Sequence, residues 1–281
     1  SSPGHVQLAH PSSDGLAGAE RRVIAIVLKQ YAHRGPVDSV VPTLQAIQHA
    51  DPALATVAVD ALAGTWPKDA SPTLSDVQVS QIREVMKALP MDARDRMLLL
   101  AQRWGRRDLF ANESAAVLDA LRASVADASG DASTRVDAAR RLISVDDGAA
   151  TDAFILKQVS PREPPDLQVG LLDALGASKA GELANAIVDR YGQLAPVAQR
   201  EAINLLLRRD ARASALLDAV QSGKIDNRDL LPQQWSALGD NPDERIADRA
   251  KALQKSTGHA PTSDRKAVSY THLRAHETGR N

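Results

Sequence analysis

The chain has 281 residues, 43% apolar but only 3% aromatic, and its 34 basic against 35 acidic residues leave a net charge of -1. So few large rings suit a thin packing of helices filled by Ala, Leu, Val and Ile better than one compact core, and the charge balance lacks the basic excess of a nucleic-acid binder. With no Cys there is no disulfide framework, thiolate metal site or haem-attachment CxxCH, and no apolar run reaches the roughly 18 residues of a membrane span. The opening Ser1-Ser2-Pro3-Gly4 has no initiator Met and no signal-type core, so an internal fragment is expected.

Residues 1–15 are expected to form a flexible N-terminal stretch, and 16–256 a helical array. Apolar residues recur there at three- and four-residue intervals, predicting helices over 17–33, 37–50, 52–64, 74–88, 92–104, 112–127, 132–145, 149–159, 165–176, 179–192, 195–209, 211–222, 227–238 and 242–256. Asp51-Pro52 and Asn241-Pro242, the latter with Glu244, are predicted helix starts. Thr65 to Leu74, containing Trp66-Pro67 and Ser71-Pro72, and Pro161 to Pro165 are predicted loops.

The helices repeat. Apolar residues stand at +3, +4 and +7 from Ala55, Arg94, Arg135, Gln168 and Gln199; from Ile246 the +3 position is lost to Arg249. These anchors are 39, 41, 33, 31 and 47 residues apart, the spacing of helix-pair repeats of HEAT or armadillo type. The predicted fold is therefore all-α: a HEAT/armadillo-like α–α superhelix, a solenoid of antiparallel helix pairs.

Reactive groups are sparse. His33 and His49 close predicted helices, where a cation complements the terminal carbonyls, and Asp146-Asp147 and Asp240 to Glu244 lack the ligand spacing of a calcium loop. His5 and His10 lie in the N-terminal stretch, and His259 in a linker expected over 257–267. The candidate partner-contact patch is Arg103, Trp104, Arg106 and Arg107, basic residues beside an aromatic. Its alternative is a helix end with the Trp packed inward. Arg21-Arg22, Arg140-Arg141 and Arg208-Arg209 are expected as solvated helix edges. No catalytic, cofactor-binding or metal residue is assigned.

Val268-Ser269-Tyr270-Thr271-His272-Leu273-Arg274-Ala275-His276-Glu277-Thr278 resembles a translated transposon-end sequencing adapter. Residues 268–281 are therefore expected to be a non-native tail, as on a metagenomic fragment, which removes the four-residue His272/His276 spacing as a ligand pair.

Leu216 to Ile225 (LLDAVQSGKI), Asp229-Leu230, Asn241 to Ile246 (NPDERI), Ala250, Leu253 and Asp264 to Ala267 (DRKA) resemble the HEAT-repeat region of the large haem-binding, membrane-bound dehydrogenase-type proteins of planctomycetes and verrucomicrobia. The resemblance implies a parent in which a β-propeller precedes the repeats and a cytochrome c-type CxxCH domain follows them. It further implies an exported, redox-linked protein, with haem c in the parent and no cofactor in this chain. This segment would be a scaffold docking the adjacent propeller and cytochrome domains, with neither nucleic acid nor a membrane span of its own. The alternatives are a stand-alone HEAT-type protein–protein interaction module and, lacking a suitable acid–base pair, a tetrapyrrole lyase.

Overall fold

The computed structural model describes residues 13–67 and 70–256. The expectations for 257–267 and 268–281, for most of 1–15, and for His5, His10, His259, His272 and His276 lie outside the described residues. What is described is helical, without strands: α1 Ser13–Arg34, α2 Val40–Gln48, α3 Pro52–Thr65, α4 Asp76–Ala88, α5 Met91–Arg103, α6 Ala111–Ala126, α7 Ala132–Val145, α8 Ala149–Gln158, α9 Pro165–Leu175, α10 Leu183–Arg190, α11 Pro196–Leu207, α12 Asp210–Gln221, α13 Pro232–Gly239 and α14 Glu244–Ser256. None of these helices is long and apolar enough to cross a membrane.

Caps and first-turn prolines explain several boundaries. Asp51 accepts from the amides of Ala53 at 3.0 Å and Leu54 at 3.4 Å, with Pro52 opening α3. Pro also stands in the first turn of α9, α11 and α13, where its missing N–H costs nothing. At α14 the sequence places the start two residues early: the Asn241 side chain takes the Asp243 amide at 2.7 Å, and Asp243 caps Arg245 at 3.0 Å. The stretch predicted as one helix over 227–238 divides into a single turn at Asn227–Asp229 and α13, because Leu231 precedes a proline and is held extended at ψ 155°. Helix α10 starts late, at Leu183, because the Ser178 hydroxyl binds the Ala180 amide at 3.1 Å and stabilises a turn there. Glycine is required at Gly105 and Gly223, with φ of 73° and 75°. Each ends a helix with a bond from the following residue to a carbonyl five back: Arg106 to Ala101 at 2.8 Å, Lys224 to Ala219 at 2.9 Å.

Asp131 caps α7, accepting from the Thr134 amide at 2.8 Å, the Ser133 hydroxyl at 2.6 Å and the Thr134 hydroxyl at 2.8 Å. These bonds, the Ser133 hydroxyl first, lower its pKa from 3.8 to about 2. A depressed carboxyl contributes stability that is complete above its unfolded value and is lost as pH falls through its folded value. The Asp131 carboxyl resonance is thus expected to titrate near pH 2; a midpoint at the ordinary carboxylate value would contradict the cap.

The chain forms two compact units that meet in sequence at Asp147 and Gly148. In the first, α1 packs on α3, α3 on α5 and α5 on α7, while α2 packs on α4 and α6 lies against α5 and α7. In the second, α8, α10, α12 and α14 pack in succession, α9 packs on α11, and α13 on α14. Within each unit, then, helices mostly meet the helix two along the chain. Their apolar stripes supply the core: Val59 and Leu62 of α3, Met97 and Leu100 of α5, Leu171 and Leu172 of α9, and Leu205 and Leu206 of α11 are all fully buried.

The four polar repeat anchors share one device, which the apolar anchors Ala55 and Ile246 lack. Arg94 donates to the carbonyls of Leu89 at 3.0 Å and Lys87 at 2.9 Å, and Arg135 to Val125 at 2.9 Å. Gln168 donates to Glu163 at 2.7 Å, and Gln199 to Tyr191 at 3.1 Å. Each of these four anchors reaches back from the start of its helix to a backbone carbonyl at the end of the preceding helix or in the turn after it, adding a side-chain donor there.

Candidate functional site

The four residues of the candidate patch take separate roles. Arg103, in the last turn of α5, donates to the carbonyl of Trp66 at 2.8 Å and to that of Gly64 at 3.2 Å, joining the ends of α3 and α5. Trp104 is 3% exposed. Its ring meets Trp66 edge-on at 5.8 Å, and Trp66 meets Tyr31 at 6.4 Å, a chain of three rings across α5, α3 and α1. The Ser71 hydroxyl donates to the Trp104 carbonyl at 2.6 Å, fastening the Pro-rich loop to the same end. After Gly105 the chain leaves the helix, and Arg106 pairs with Asp108 at 2.8 Å. That hydrogen bond raises the guanidinium pKa and lowers the carboxyl pKa. Arg107 is exposed. The structure thus brings Arg103 and Trp104 together as packing, pairs Arg106 locally, and presents Arg107 to solvent.

A buried polar ladder went unnoticed in the sequence. Asp95 is fully buried in α5 and receives two bonds from Arg141 of α7, Nε at 2.9 Å and Nη2 at 2.6 Å. Arg141 also donates to the Asp92 carbonyl at 2.7 Å. Its pKa is raised, first by the hydrogen bond to Asp95 and against its partial burial. Arg96 lies 3.7 Å from Asp95 and 3.0 Å from Asp60 of α3, so charge runs from α3 through α5 to α7. The expectation that Arg140-Arg141 is a solvated edge holds for Arg140, which pairs with Asp137 at 3.1 Å, and fails for Arg141.

The second unit has a counterpart. Asp152 of α8 is buried and accepts from the Ser178 hydroxyl at 2.7 Å. Arg212 of α12, also buried, donates to the carbonyls of Gly176 and Ser178, and desolvation is the first cause of its lowered pKa. Arg208 reaches Asp173 of α9 at 2.8 Å, and Arg209 the Ala177 carbonyl at 3.4 Å. Both stay exposed, as expected of solvated helix edges, and also tie to α9 and the turn after it. Tyr191 bonds Asp229 at 3.1 Å, and burial, then that carboxylate, push its hydroxyl pKa up.

Grooves open on the first unit. One, of about 390 Å³, lies between α5, α6 and α7, with Leu121 and Ala138 below and Asp92, Asp137 and Arg141 at its polar side. Its cation is already matched by Asp95. A second, about 350 Å³, is rimmed by Arg83, Glu84, Lys87, Asp108 and Glu113; there Arg83 donates to the Leu109 carbonyl at 3.0 Å and Lys87 pairs with Glu84 at 2.8 Å. A third, about 300 Å³, is apolar and lies between α1, α2 and α3. Among the described residues no three His, Asp or Glu side chains converge as a metal site would require. Asp95, Arg141, Arg208 and Arg212 connect helices, whereas Lys87, Arg106 and Arg140 pair locally. No protein family, curated protein or solved structure matches the chain.

Proposed function

We propose that this chain is a non-catalytic docking scaffold, a HEAT-like α–α superhelix of helix pairs. The observation that carries this is the combination of packing between alternate helices with a polar clamp recurring at the repeat anchors Arg94, Arg135, Gln168 and Gln199. Helix pairs that cannot bury their apolar faces alone are stable when stacked, and the product is an extended surface suited to holding other proteins. The non-catalytic reading is supported by where the charges are: Asp95, Arg141, Arg208 and Arg212 are all used in joining helices.

The partner follows from the resemblance. The segment is proposed to sit within an exported, haem-bearing redox protein, docking its propeller and cytochrome c-type domains. This chain has no Cys and does not fit a covalently held haem, so the CxxCH is assigned to a separate domain of the parent. The test is the uninterrupted reading frame of the source gene past Ala267. A CxxCH within about a hundred residues, one domain length, is the expected result. Its absence would remove the haem-bearing parent and leave a stand-alone interaction module.

A further inference from the structure

Cys is absent and Met occurs three times, so Met86, Met91 and Met97 carry all the sulfur of the chain. Two of them belong to apolar stripes. In α4, Met86 stands with Ile82 and Val85; in α5, Met97 stands with Ala93, Leu100 and Ala101. Spacings of three and four put each set on one helix face. Both of these Met residues are 0% exposed. Met91 lies outside the pattern. It is the first residue of α5, two places before Ala93, and is 48% exposed.

Its surroundings tolerate a polar group. Met91 borders the groove between α5, α6 and α7, where Val117 and Leu121 are apolar but Asp92, Asp137 and Arg141 are charged. An oxygen added to this sulfur meets water and polar side chains. The same oxygen on Met86 or Met97 would stand in hydrocarbon, at the cost of burying an unpaired polar group.

We propose that Met91 is a reversible oxidation site, taken to the sulfoxide by a hydroperoxide and restored by a thiol-dependent reductase, while the fold shields Met86 and Met97. In the forward step the sulfur lone pair attacks one peroxide oxygen and the O–O bond breaks. The sulfide is oxidised by two electrons and keeps that oxygen; with hydrogen peroxide the other oxygen leaves as water. The return step consumes two external thiols and releases a disulfide and one water. The chain, without Cys, supplies neither thiol. Selectivity comes from access. Met91 reacts in the folded chain, whereas Met86 and Met97 wait for the unit to open, so the free energy of opening slows them.

Cleavage by trypsin after Arg83, Lys87, Arg94, Arg96 and Arg103 puts the three Met on separate peptides, and mass spectrometry follows each one. In dilute hydrogen peroxide at neutral pH the folded chain is expected to gain oxygen on Met91 about tenfold or more faster than on the other two. In denaturant the three rates should converge. Methionine sulfoxide reductase with dithiothreitol is expected to remove the oxygen, and the singly oxidised chain to melt at the temperature of the reduced one. Met91→Leu, which conserves volume, should abolish the fast phase and leave the slow ones. Equal rates at the three sulfurs in the folded chain overturn the site. So does a preference for Met91 that persists in denaturant, or an adduct that the reductase leaves in place. A clear fall in melting temperature on oxidation of Met91 alone also overturns it, because the sulfide would then be part of the packing.

Discussion

Trp104→Ala is expected to destabilise the first unit by about 3–5 kcal/mol, the range for emptying a buried large aromatic site. Trp104 is 3% exposed and Trp66 2%, and their rings meet at 5.8 Å. Truncation removes the ring that fills the junction of α3 and α5 and opens a cavity beside Trp66. It also loosens the helix end that Arg103 and Ser71 fasten. Denaturant unfolding followed by amide exchange in α3 and α5 checks this. Arg107→Ala serves as the control: exposed, and expected to change stability by no more than about 0.5 kcal/mol. A Trp104→Ala variant as stable as the parent would mean that the three-ring chain is not part of the core.

Asp95→Ala is expected to cost about 2–3 kcal/mol, because it leaves Arg141 without its bidentate acceptor. The figure is below that for a fully buried pair since Arg141 keeps 25% of its side chain exposed and can turn towards water. The pair itself is measured by a cycle with Arg141→Ala, in which the double variant is less destabilised than the sum of the two singles by about 1 kcal/mol or more. Strict additivity would show that the two groups do not act together. The loss should concentrate in α5 and α7, which this contact joins.

The helix count and most boundaries were legible because they follow from local chemistry: apolar periodicity, Asp51 before Pro52, and proline in the first turns. The errors fall where a local choice competes with the pattern, as at Leu231-Pro232 and at the Ser178 turn. The ladder was not legible, because adjacent residues on a helix point about 100° apart and only tertiary neighbours decide which charge is solvated. In Arg94-Asp95-Arg96, a run that looks like a solvated edge, Arg94 turns back to Leu89, Asp95 turns inward to Arg141, and Arg96 reaches Asp60. Arg140 and Arg141 divide in the same way. The polar anchors were visible as exceptions in an apolar lattice, but the carbonyls they satisfy lie in the preceding helix or turn, and spacing alone does not identify them. For Arg103 and Trp104 the sequence left two arrangements open. The deciding contact, with Trp66 some forty residues earlier, is non-local.

Stacking of helix pairs is tested most directly by residue-resolved amide exchange on Leu172→Ala, a cavity at the fully buried centre of α9. In an array held by nearest neighbours, loss of protection should be greatest in α9, extend to α8 and α11, which pack on it, and fade by α14. A uniform loss from α8 to α14, with no gradient, would describe one indivisible core and contradict the account.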